Sequence, residues 1–388
     1  MSDQEKFRCY IYRGGTSKAV FFMENELPLD IKVREKLLLA AYGSPDGRQI
    51  DGLGGSDITT SKVAIIGPPS RDDADIDYTF GQVFIDRPVV SYNGNCGNIS
   101  SAVGPFAVDE GLVRVSGNTA TVRIHNTNTK KILVAEFPVS DGKAVYDDDF
   151  SIPGVPGTGA MIKLDFAGTA GSSTGKLLPT GNVVDILDVE DLGKIQVSIV
   201  DAANPVVFVL ADDIGATGME NRLEINSNDI LRDKLEKIRA CGAEAAGIVK
   251  DRKMALTDSP LVPQVAFVRA STDYIDYATG DVIKGEDVSF LSRVLFNQVG
   301  VETYTGTGSV CTAAAAMIPG TLVNQVASQK TKDSGVVLIG HPRGAMEIVA
   351  QVDQHQGAWR LRKALFRRTA RRLMEGYVYV KKSFLDKR

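Results

Sequence analysis

The pattern of apolar and polar residues along this chain predicts mainly β-strands. Short runs rich in Val, Ile, Tyr and Phe are bounded by Gly, Asn, Asp and Pro, as is typical of strands that end in turns. The predicted strands are 7–12, 19–23, 62–66, 78–84, 119–125, 132–138, 195–200, 206–210, 265–269, 336–339, 345–352 and 377–381. Helical spacing of apolar residues predicts helices at 31–42, 99–111, 227–241, 288–298, 310–317 and 361–375. So many strands with so few helices indicate the α+β class, not a doubly wound parallel sheet.

The two halves of the chain resemble each other at two places. In each half a glycine-rich loop precedes a helix of small residues, once at Cys96 and once at 304–310. The segments 13–18 and 201–205 form a second pair, each ahead of a predicted strand. Repeated units at matching depth indicate duplication, and helices of small residues suit enclosure by strands. We therefore predict two domains, 1–184 and 185–388, with the option that the last helix or strand packs back on the first.

Composition and charge narrow the function classes. The 388 residues are 43% hydrophobic and 24% charged, which is ordinary for a soluble globular protein. A net charge of -4 gives no general reason to expect nucleic acid or an acidic membrane as a partner. The first residues contain no apolar segment typical of a secretory signal, and no run approaches the ~20 apolar residues of a membrane span. With four scattered cysteines, these features predict a cytoplasmic protein with reduced thiols.

Motifs for metals, nucleotides and nucleic acids are absent or incomplete. The three histidines are far apart in the sequence and belong to no metal-binding motif. A loop that resembles a phosphate loop has Ala170 in place of its first glycine and Leu177 in place of its Ser or Thr. Residues 52–55 begin like a dinucleotide fingerprint, but Asp57 replaces its last glycine. The chain has no overall positive balance that would suit nucleic acid, so we interpret the basic segment 360–372 as a solvated helix face. We expect no metal and no cofactor.

Cys96 is the strongest candidate for chemistry in the chain. It lies between glycines and asparagines at a predicted helix start, where backbone N–H groups and the helix dipole favour negative charge. Such surroundings lower a thiol pKa from roughly 8.5 toward neutrality, and they bind anions as well. A lone cysteine is more often a small buried apolar residue. Glycines and amide side chains are poor core material, however, so a functional role is favoured.

Lys62 is a second candidate. It ends a loop of Gly, Ser and Thr residues and opens an apolar strand. Most lysines at such junctions are exposed and have no catalytic role. Partial burial beside other cations would lower the pKa of Lys62 and make it a usable proton carrier.

Taken together, these segments resemble the PrpF family. The matching stretches run from near the first residue to near the last, and as a set they are specific for the family. They are Tyr12-Arg-Gly-Gly-Thr-Ser-Lys18, Asp51-Gly-Leu-Gly-Gly-Ser-Asp57, Thr60-Ser-Lys62-Val, Tyr92-Asn-Gly-Asn-Cys96-Gly-Asn, Gly171-Ser-Ser-Thr-Gly-Lys-Leu-Leu-Pro-Thr-Gly181-Asn, Asn204-Pro205, Gly218-Met-Glu, His341-Pro342 and Thr369-Ala-Arg-Arg-Leu-Met-Glu-Gly376-Tyr-Val.

The resemblance implies a diaminopimelate-epimerase-like fold, in which two similar domains each form a β barrel around a central helix, with the active site between them. It also implies a cofactor-independent proton shift in a small unsaturated di- or tricarboxylate. In this family Lys62 and Cys96 match the expected proton-transfer pair. Positions expected to bind substrate are matched by Ser17, Asn95, Gly97 and Asn98.

The second glycine-rich loop adds to the expected site and limits its chemistry. Gly306, Thr307, Gly308 and Ser309 would supply backbone N–H groups to an enolate-like anion. Racemases of this fold usually have a cysteine at both helix starts, whereas this chain has Thr305 at the second. Cys311 lies deeper in that helix, where burial is expected. Two-thiol racemisation is therefore disfavoured, and a 1,3 proton shift that uses Lys62 and Cys96 is favoured.

Several alternatives stay open at this point. Overall resemblance favours activity of the methylitaconate Δ-isomerase type, ahead of methylaconitate cis–trans isomerisation and oxalomesaconate tautomerisation. A non-catalytic accessory protein that binds a tricarboxylate is the rival from another class. The sequence does not decide which of Lys62 and Cys96 removes the proton and which returns it. A homo-oligomer is the common default for such enzymes.

Overall fold

The computed structural model describes residues 3–386, so the first two and the last two residues of the predicted domains lie outside it. Its strands are β1 Gln4–Gly14, β2 Ser17–Met23, β3 Lys62–Gly67, β4 Ile76–Val83, β5 Val90–Ser91, β6 Thr119–Asn126, β7 Lys131–Ser140, β8 Lys143–Ala144, β9 Ile162–Asp165, β10 Asp185–Val189, β11 Gly193–Ala202, β12 Asn204–Leu210, β13 Gln264–Arg269, β14 Tyr274–Ile275, β15 Val282–Ile283, β16 Phe290–Phe296, β17 Val299–Gly300, β18 Val336–His341, β19 Gly344–His355, β20 Ala358–Arg368 and β21 Ala370–Lys381. Its α-helices are α1 Ile31–Tyr42, α2 Gly97–Asp109, α3 Arg222–Ser227, α4 Asp229–Ala245, α5 Ala255–Asp258, α6 Gly306–Met317, α7 Leu322–Val326, α8 Gln329–Ser334 and α9 Lys382–Asp386.

The chain divides into two compact units. The first contains the residues up to Lys163 together with those from Arg368 onward, and the second is Leu164–Arg367. Strand β21 belongs to the first unit, where it pairs with β1 over nearly its whole length. The domain boundary predicted between residues 184 and 185 stays a prediction.

Both units have the same order of strand pairing. In the first, β1 pairs antiparallel with β2, β2 parallel with β3, β3 antiparallel with β4, β4 parallel with β6, and β6 antiparallel with β7. In the second, β11, β12, β13, β16, β18 and β19 pair in that same sequence of directions. Helices α1 and α4 follow the second strand of each series. The duplication predicted from the sequence is confirmed by this topology.

A small-residue helix lies at the centre of each unit. Every residue of α2 is buried, and α6 is buried except for its last residue. Helix α2 packs against β1, β2, β6, β7 and β21, and α6 packs against β11, β12, β18 and β19. Small side chains permit strands to approach a helix from several directions, which explains why both sequences are rich in Gly, Ala and Ser. The predicted α+β fold with strands around a central helix in each half is confirmed.

The predicted helix at 361–375 is wrong, because this segment forms strands β20 and β21. Its inward-facing residues alternate from Ala364 to Arg368, with one irregularity opposite Gln351 and Val352. That bulge separates the buried residues Leu361 and Ala364 by three positions, which imitates the spacing of a helix. The basic face is therefore not helical. Several of its arginines form ion pairs, among them Arg360 with Asp353, Arg367 with Glu347, and Arg372 with Glu110.

The predicted helix at 288–298 is also wrong, because β16 occupies this segment. All seven residues of β16 are buried, including Arg293. A strand buried on both faces shows no alternation of polar and apolar residues, so periodicity alone does not separate it from a buried helix.

Candidate active site

Lys62 opens strand β3 and is held there by its backbone. Its carbonyl oxygen accepts a hydrogen bond from the hydroxyl of Tyr42, the last residue of α1. The same hydroxyl accepts from the backbone N–H of Val20 on β2, at 3.1 Å. The first residue of β3 is therefore held to both α1 and β2 by hydrogen bonds, which fixes the direction in which the lysine side chain leaves the sheet.

The Lys62 side chain is deeply buried, with 4% of its surface exposed. Its Nζ donates to Oε1 of Gln82 at 2.8 Å and lies 5.3 Å from the centre of the Phe80 ring. Burial lowers the pKa of Lys62, while the negative charges of Cys96 and Asp57 act in the opposite direction without cancelling it. The neutral amine is consequently populated at lower pH than it is in an exposed lysine, which is the condition for acting as a base.

Cys96 is the residue that precedes α2, and its backbone is extended with φ -115° and ψ 101°. Its carbonyl oxygen accepts the first hydrogen bond of the helix, from the N–H of Ser100 at 2.9 Å. The N–H groups that follow Cys96 in the first turn have no acceptor within the helix itself. Because Cys96 directly precedes α2, it lies at the positive end of the helix dipole, and its thiol is half-buried.

Lys62 and Cys96 are brought together in the first unit. A thiolate at Cys96 is close enough to raise the pKa of Lys62, and it also raises the pKa of the buried Tyr78 hydroxyl, for which burial is the larger cause. Lys62 and Tyr78 thus both lie within electrostatic reach of Cys96. Buried titratable residues with perturbed pKa values, such as Lys62 and Tyr78, are typical of a site for proton transfer.

Asn95 stabilises the turn that presents Cys96. Its side-chain oxygen accepts from the N–H of Cys96 at 2.7 Å, from the hydroxyl of Ser100 at 3.3 Å and from the amide of Asn126 at 3.4 Å. Asn95 is itself buried. Its side-chain oxygen therefore holds the loop in shape at the helix start.

Ser17 and Asn98 lie on either side of a tight contact between the β1–β2 hairpin and α2. Asn98 donates through Nδ2 to the hydroxyl of Thr16 at 3.0 Å. A Cβ atom at Gly14 would lie 2.4 Å from the carbonyl oxygen of Asn98, and one at Gly15 would lie 2.2 Å from its side-chain oxygen. The paired glycines are thus required for the hairpin, and with it the buried Ser17, to reach the helix start.

Arg368 was missed by the sequence analysis, which placed it on a solvated helix face. The structure has it at the end of β20 with 3% of its surface exposed. Its Nε donates to the side-chain oxygen of Asn98 at 3.0 Å, and its Cδ lies close to Gly15. Burial lowers the pKa of this guanidinium to about 9. A cation in so dry a position is a natural ligand for a carboxylate.

The predicted residues Gly306, Thr307, Gly308 and Ser309 begin α6 in the second unit. The hydroxyl of Ser309 donates to the carbonyl of Gly306 at 2.7 Å, and that of Thr307 accepts from Nδ2 of Asn204 at 3.0 Å. The helix starts with the bond from Ser309 N–H to the carbonyl of Thr305. The Ser309 hydroxyl donates within the helix, whereas the Thr307 hydroxyl only accepts, so this turn offers a ligand its backbone N–H groups and the O–H of Thr307.

Equivalent positions in the two units hold different chemistry. Lys62 pairs with the third residue of β2, and Gln264 pairs with the third residue of β12. Before the central helices, Cys96 in the first unit corresponds to Thr305 in the second. In the second unit the Thr305 hydroxyl donates to Oε1 of Gln264 at 2.7 Å, so two neutral groups meet there. Cys311 is fully buried, as expected, and burial raises its pKa.

The loop that resembles a phosphate loop binds a carboxylate of the protein itself. Asp201 accepts from the backbone N–H groups of Ser173 and Thr174 at 2.9 and 2.8 Å, and from the hydroxyls of Ser172 and Thr174. Asp201 is completely buried. The anion-binding backbone of this loop is therefore already in use.

Within residues 3–386, no group of three His, Cys, Asp or Glu residues is arranged to hold a metal ion. None of the helices in the described part of the chain is both long and apolar enough to cross a membrane.

Comparison with known proteins places the whole chain in one family. The family model described as PrpF protein matches residues 4–381. The 3-methylitaconate isomerase of Eubacterium barkeri is 52% identical over 385 residues, covering 99% of this chain and 100% of the relative. The 2-methyl-aconitate isomerase of Shewanella oneidensis is 40% identical over 392 residues, covering 98% of each.

Solved structures agree with the fold. The crystal structure of methylitaconate-delta-isomerase superposes with a TM-score of 0.82 at 51% identity, over 100% of this chain and 98% of that one. A hydroxyproline epimerase from Agrobacterium vitis superposes with a TM-score of 0.56 at 12% identity, over 97% and 93%. The latter likeness concerns the fold alone, and it confirms the predicted epimerase-like architecture.

Proposed function

The chain belongs to the PrpF family, and we propose that it is a cofactor-independent isomerase that converts 3-methylitaconate (2-methylene-3-methylsuccinate) to dimethylmaleate. The observation that carries this proposal is the buried Lys62, its pKa lowered, beside Cys96 at the start of α2. The full-length likeness to a 3-methylitaconate isomerase supports this choice of substrate over 2-methylaconitate and 4-oxalomesaconate.

The proposed reaction is a 1,3 proton shift. A base removes the proton from the methyl-bearing carbon, which is acidified by the adjacent carboxylate and by the neighbouring double bond. The electron pair of the broken C–H bond delocalises over the three carbons, and an acid then delivers a proton to the terminal methylene. The double bond moves to the central position, and the methylene becomes a methyl group.

We assign the first step to Lys62 and the second to Cys96. Burial favours the neutral form of the Lys62 amine, which can accept a proton. Once protonated, that amine is a cation beside the Cys96 thiol, and it stabilises the thiolate that remains after Cys96 gives up its proton. A proton transfer between the two groups then restores the starting state.

Binding of the carboxylates is proposed for the hairpin and the helix starts. Arg368 and Asn98 lie within hydrogen-bonding distance of each other beside the first turn of α2, so one carboxylate can be bound by a guanidinium and by backbone N–H groups. Ser17, Gly97 and the N–H groups of Gly306, Thr307 and Gly308 are the further proposed donors. Such preorganised donors stabilise the enolate-like anion more than the ground state.

The test is an assay of the purified protein with 3-methylitaconate, 2-methylaconitate and 4-oxalomesaconate. We expect the highest kcat/KM for 3-methylitaconate, with deuterium from D2O found in the new methyl group of the product by NMR. Cys96→Ala should reduce kcat by about 10²–10⁴, the usual contribution of a general acid or base. Cys311→Ala, which removes a buried thiol from the other central helix, is the matched control and should retain activity.

Two outcomes would contradict the proposal. Failure to convert any of the three acids, with only ligand-induced thermal stabilisation, would favour a binding protein without turnover. A preference for 2-methylaconitate would keep the isomerase but change its substrate.

A further inference from the structure

Gln82 is a buried amide whose side chain forms hydrogen bonds with Lys62 and with the loop that precedes it. It lies on β4 directly opposite Lys62, and only 1% of its surface is exposed. Its Oε1 accepts from Nζ of Lys62 at 2.8 Å, while its Nε2 donates to the carbonyl of Ser61 at 2.8 Å and to that of Ile58 at 3.2 Å. No feature of the sequence had singled it out.

These bonds fix which end of the amide faces the lysine. Nε2 has two N–H donors, and two backbone carbonyls take them, so a flipped amide would place Nε2 against the ammonium and Oε1 against carbonyl oxygens. The acceptor that meets Lys62 is therefore held by the loop that precedes β3. The position of the amine depends on that acceptor as well as on the Phe80 ring beneath it.

The acceptor is also neutral, which affects the proton affinity of the amine. Among the groups around Lys62, a thiolate at Cys96 and the carboxylate of Asp57 raise its pKa, and burial lowers it by more. A carboxylate at position 82 would add a negative charge at hydrogen-bond distance in a dry site and would keep the ammonium protonated. A glutamine orients the amine without that consequence.

We propose that Gln82 is a positioning residue for the proton transfer, which holds the Lys62 amine in the direction of the reacting carbon through an uncharged acceptor. The proposal rests on the proposed function for the role of Lys62, and it adds a residue that acts only through that lysine. The second unit is consistent with this role. Leu295 of β16 pairs with Val265, so its neighbour Phe296 lies opposite Gln264, as Gln82 lies opposite Lys62 in the first unit. There, Gln264 replaces the lysine, and no amine has to be oriented.

The experiment compares Gln82→Glu and Gln82→Met with the same two changes at Gln49. Gln49 is equally buried, and its Nε2 donates to the hydroxyl of Ser61 at 2.8 Å, so it supports the same loop without touching Lys62. For each variant, kcat and KM are measured from pH 5 to 10, and the melting temperature reports folding.

In Gln82→Glu, the limb of the pH profile in which kcat rises with pH should move to higher pH. The kcat at neutral pH should fall at least tenfold and be partly recovered at high pH. Gln82→Met should lower kcat by about ten- to a hundredfold with KM changed less than threefold, because the amine is misplaced and not lost. The Gln49 variants should lower the melting temperature but leave the pH limb where it is. Equal shifts for the two glutamines, or an unmoved limb in Gln82→Glu, would overturn the proposal.

A direct titration separates this proposal from the proposed function. Protein labelled with ¹³C at lysine Cε is titrated by NMR, and the Lys62 signal is assigned by its loss in Lys62→Gln. Gln82→Glu should raise the pKa of Lys62 whether or not any of the three acids is converted. If the wild type were inactive but this shift appeared, the substrate assignment alone would fail. An unchanged Lys62 pKa would reject the role of Gln82 even in an active isomerase.

Discussion

The starts of α2 and α6 are built alike, yet they differ in every group that can carry a proton. In both, an extended residue precedes the helix, and an asparagine side chain donates to a threonine hydroxyl to join the helix to the neighbouring hairpin: Asn98 to Thr16 in the first unit, Asn204 to Thr307 in the second. The first unit then adds Lys62, Cys96 and the buried Arg368. The second has Gln264 and Thr305 at the positions of the lysine and the cysteine.

This difference indicates how a duplicated fold can have its proposed proton carriers in only one of its two units. Both units retain the anion-binding geometry of a helix start, which depends on the backbone. Only the first unit has a lysine and a cysteine at these two equivalent positions, so both proposed proton carriers lie in that unit. That arrangement suits a 1,3 shift, in which both ends of the allylic anion are served by neighbouring groups.

The largest effect is expected when the first unit is given the residues of the second. Lys62→Gln and Cys96→Thr should each lower kcat by about 10²–10⁴, because each removes one proton carrier while keeping a polar side chain of similar size. The measurement is steady-state kinetics with 3-methylitaconate.

The reverse change is the control for that comparison. Thr305→Cys places a thiol at the second helix start, where no lysine accompanies it, and kcat should stay within about threefold of the wild type. A large gain or loss of activity in Thr305→Cys would mean that the second helix start also takes part in proton transfer.

The sequence predicts the features that the two units share better than it predicts the surroundings of individual side chains. The glycine-rich loops, the small-residue helices and most strands have local signals, so the duplication and the position of Cys96 could be inferred. The strands β16 and β20 were predicted as helices, because one is buried on both faces and the other contains a bulge. In each case the tertiary environment decided the conformation, and the local pattern did not encode it.

Gln82 and Arg368 show why the site was predicted incompletely. Gln82 is twenty residues from Lys62 in the sequence, and only the β3–β4 register places the two opposite each other. Arg368 belongs to a segment whose other arginines are exposed or half-buried, and its burial follows from alternation along a strand that was predicted as a helix. Pairing across strands is a long-range property, so a single sequence carries little signal for either residue.

A smaller effect is expected from Arg368, the proposed ligand of a substrate carboxylate beside the start of α2. Arg368→Met should raise KM for 3-methylitaconate by about ten- to a hundredfold, since hydrogen bonds to a charged group contribute roughly 1.5–3 kcal/mol. Arg368→Lys should recover only part of the loss, because lysine keeps the charge but not the planar fork.

Arg371 provides the matched control for that prediction. It lies three residues further along, on β21, and is exposed. Arg371→Met should leave KM within about twofold of the wild type. Equal effects of the two changes would show that KM depends on the general positive charge of this segment and not on the buried guanidinium.

The smallest effect concerns stability, and it tests whether the first unit bears a cost that the second does not. Burial lowers the pKa of Lys62 in the folded protein, whereas the unfolded chain keeps a value near 10.5. Between these two pKa values the unfolded chain binds more protons, so the free energy of unfolding of the wild type should rise with pH. Lys62→Met removes the titrating group and should be more stable than the wild type below this window, with the difference shrinking as the pH rises through it. Urea unfolding at a series of pH values measures this difference.

Gln264→Met, at the equivalent uncharged position, is the control and should show no such pH dependence relative to the wild type. If both variants gave the same constant difference, the two helix starts would differ in their side chains but not in the energetic cost of holding a base.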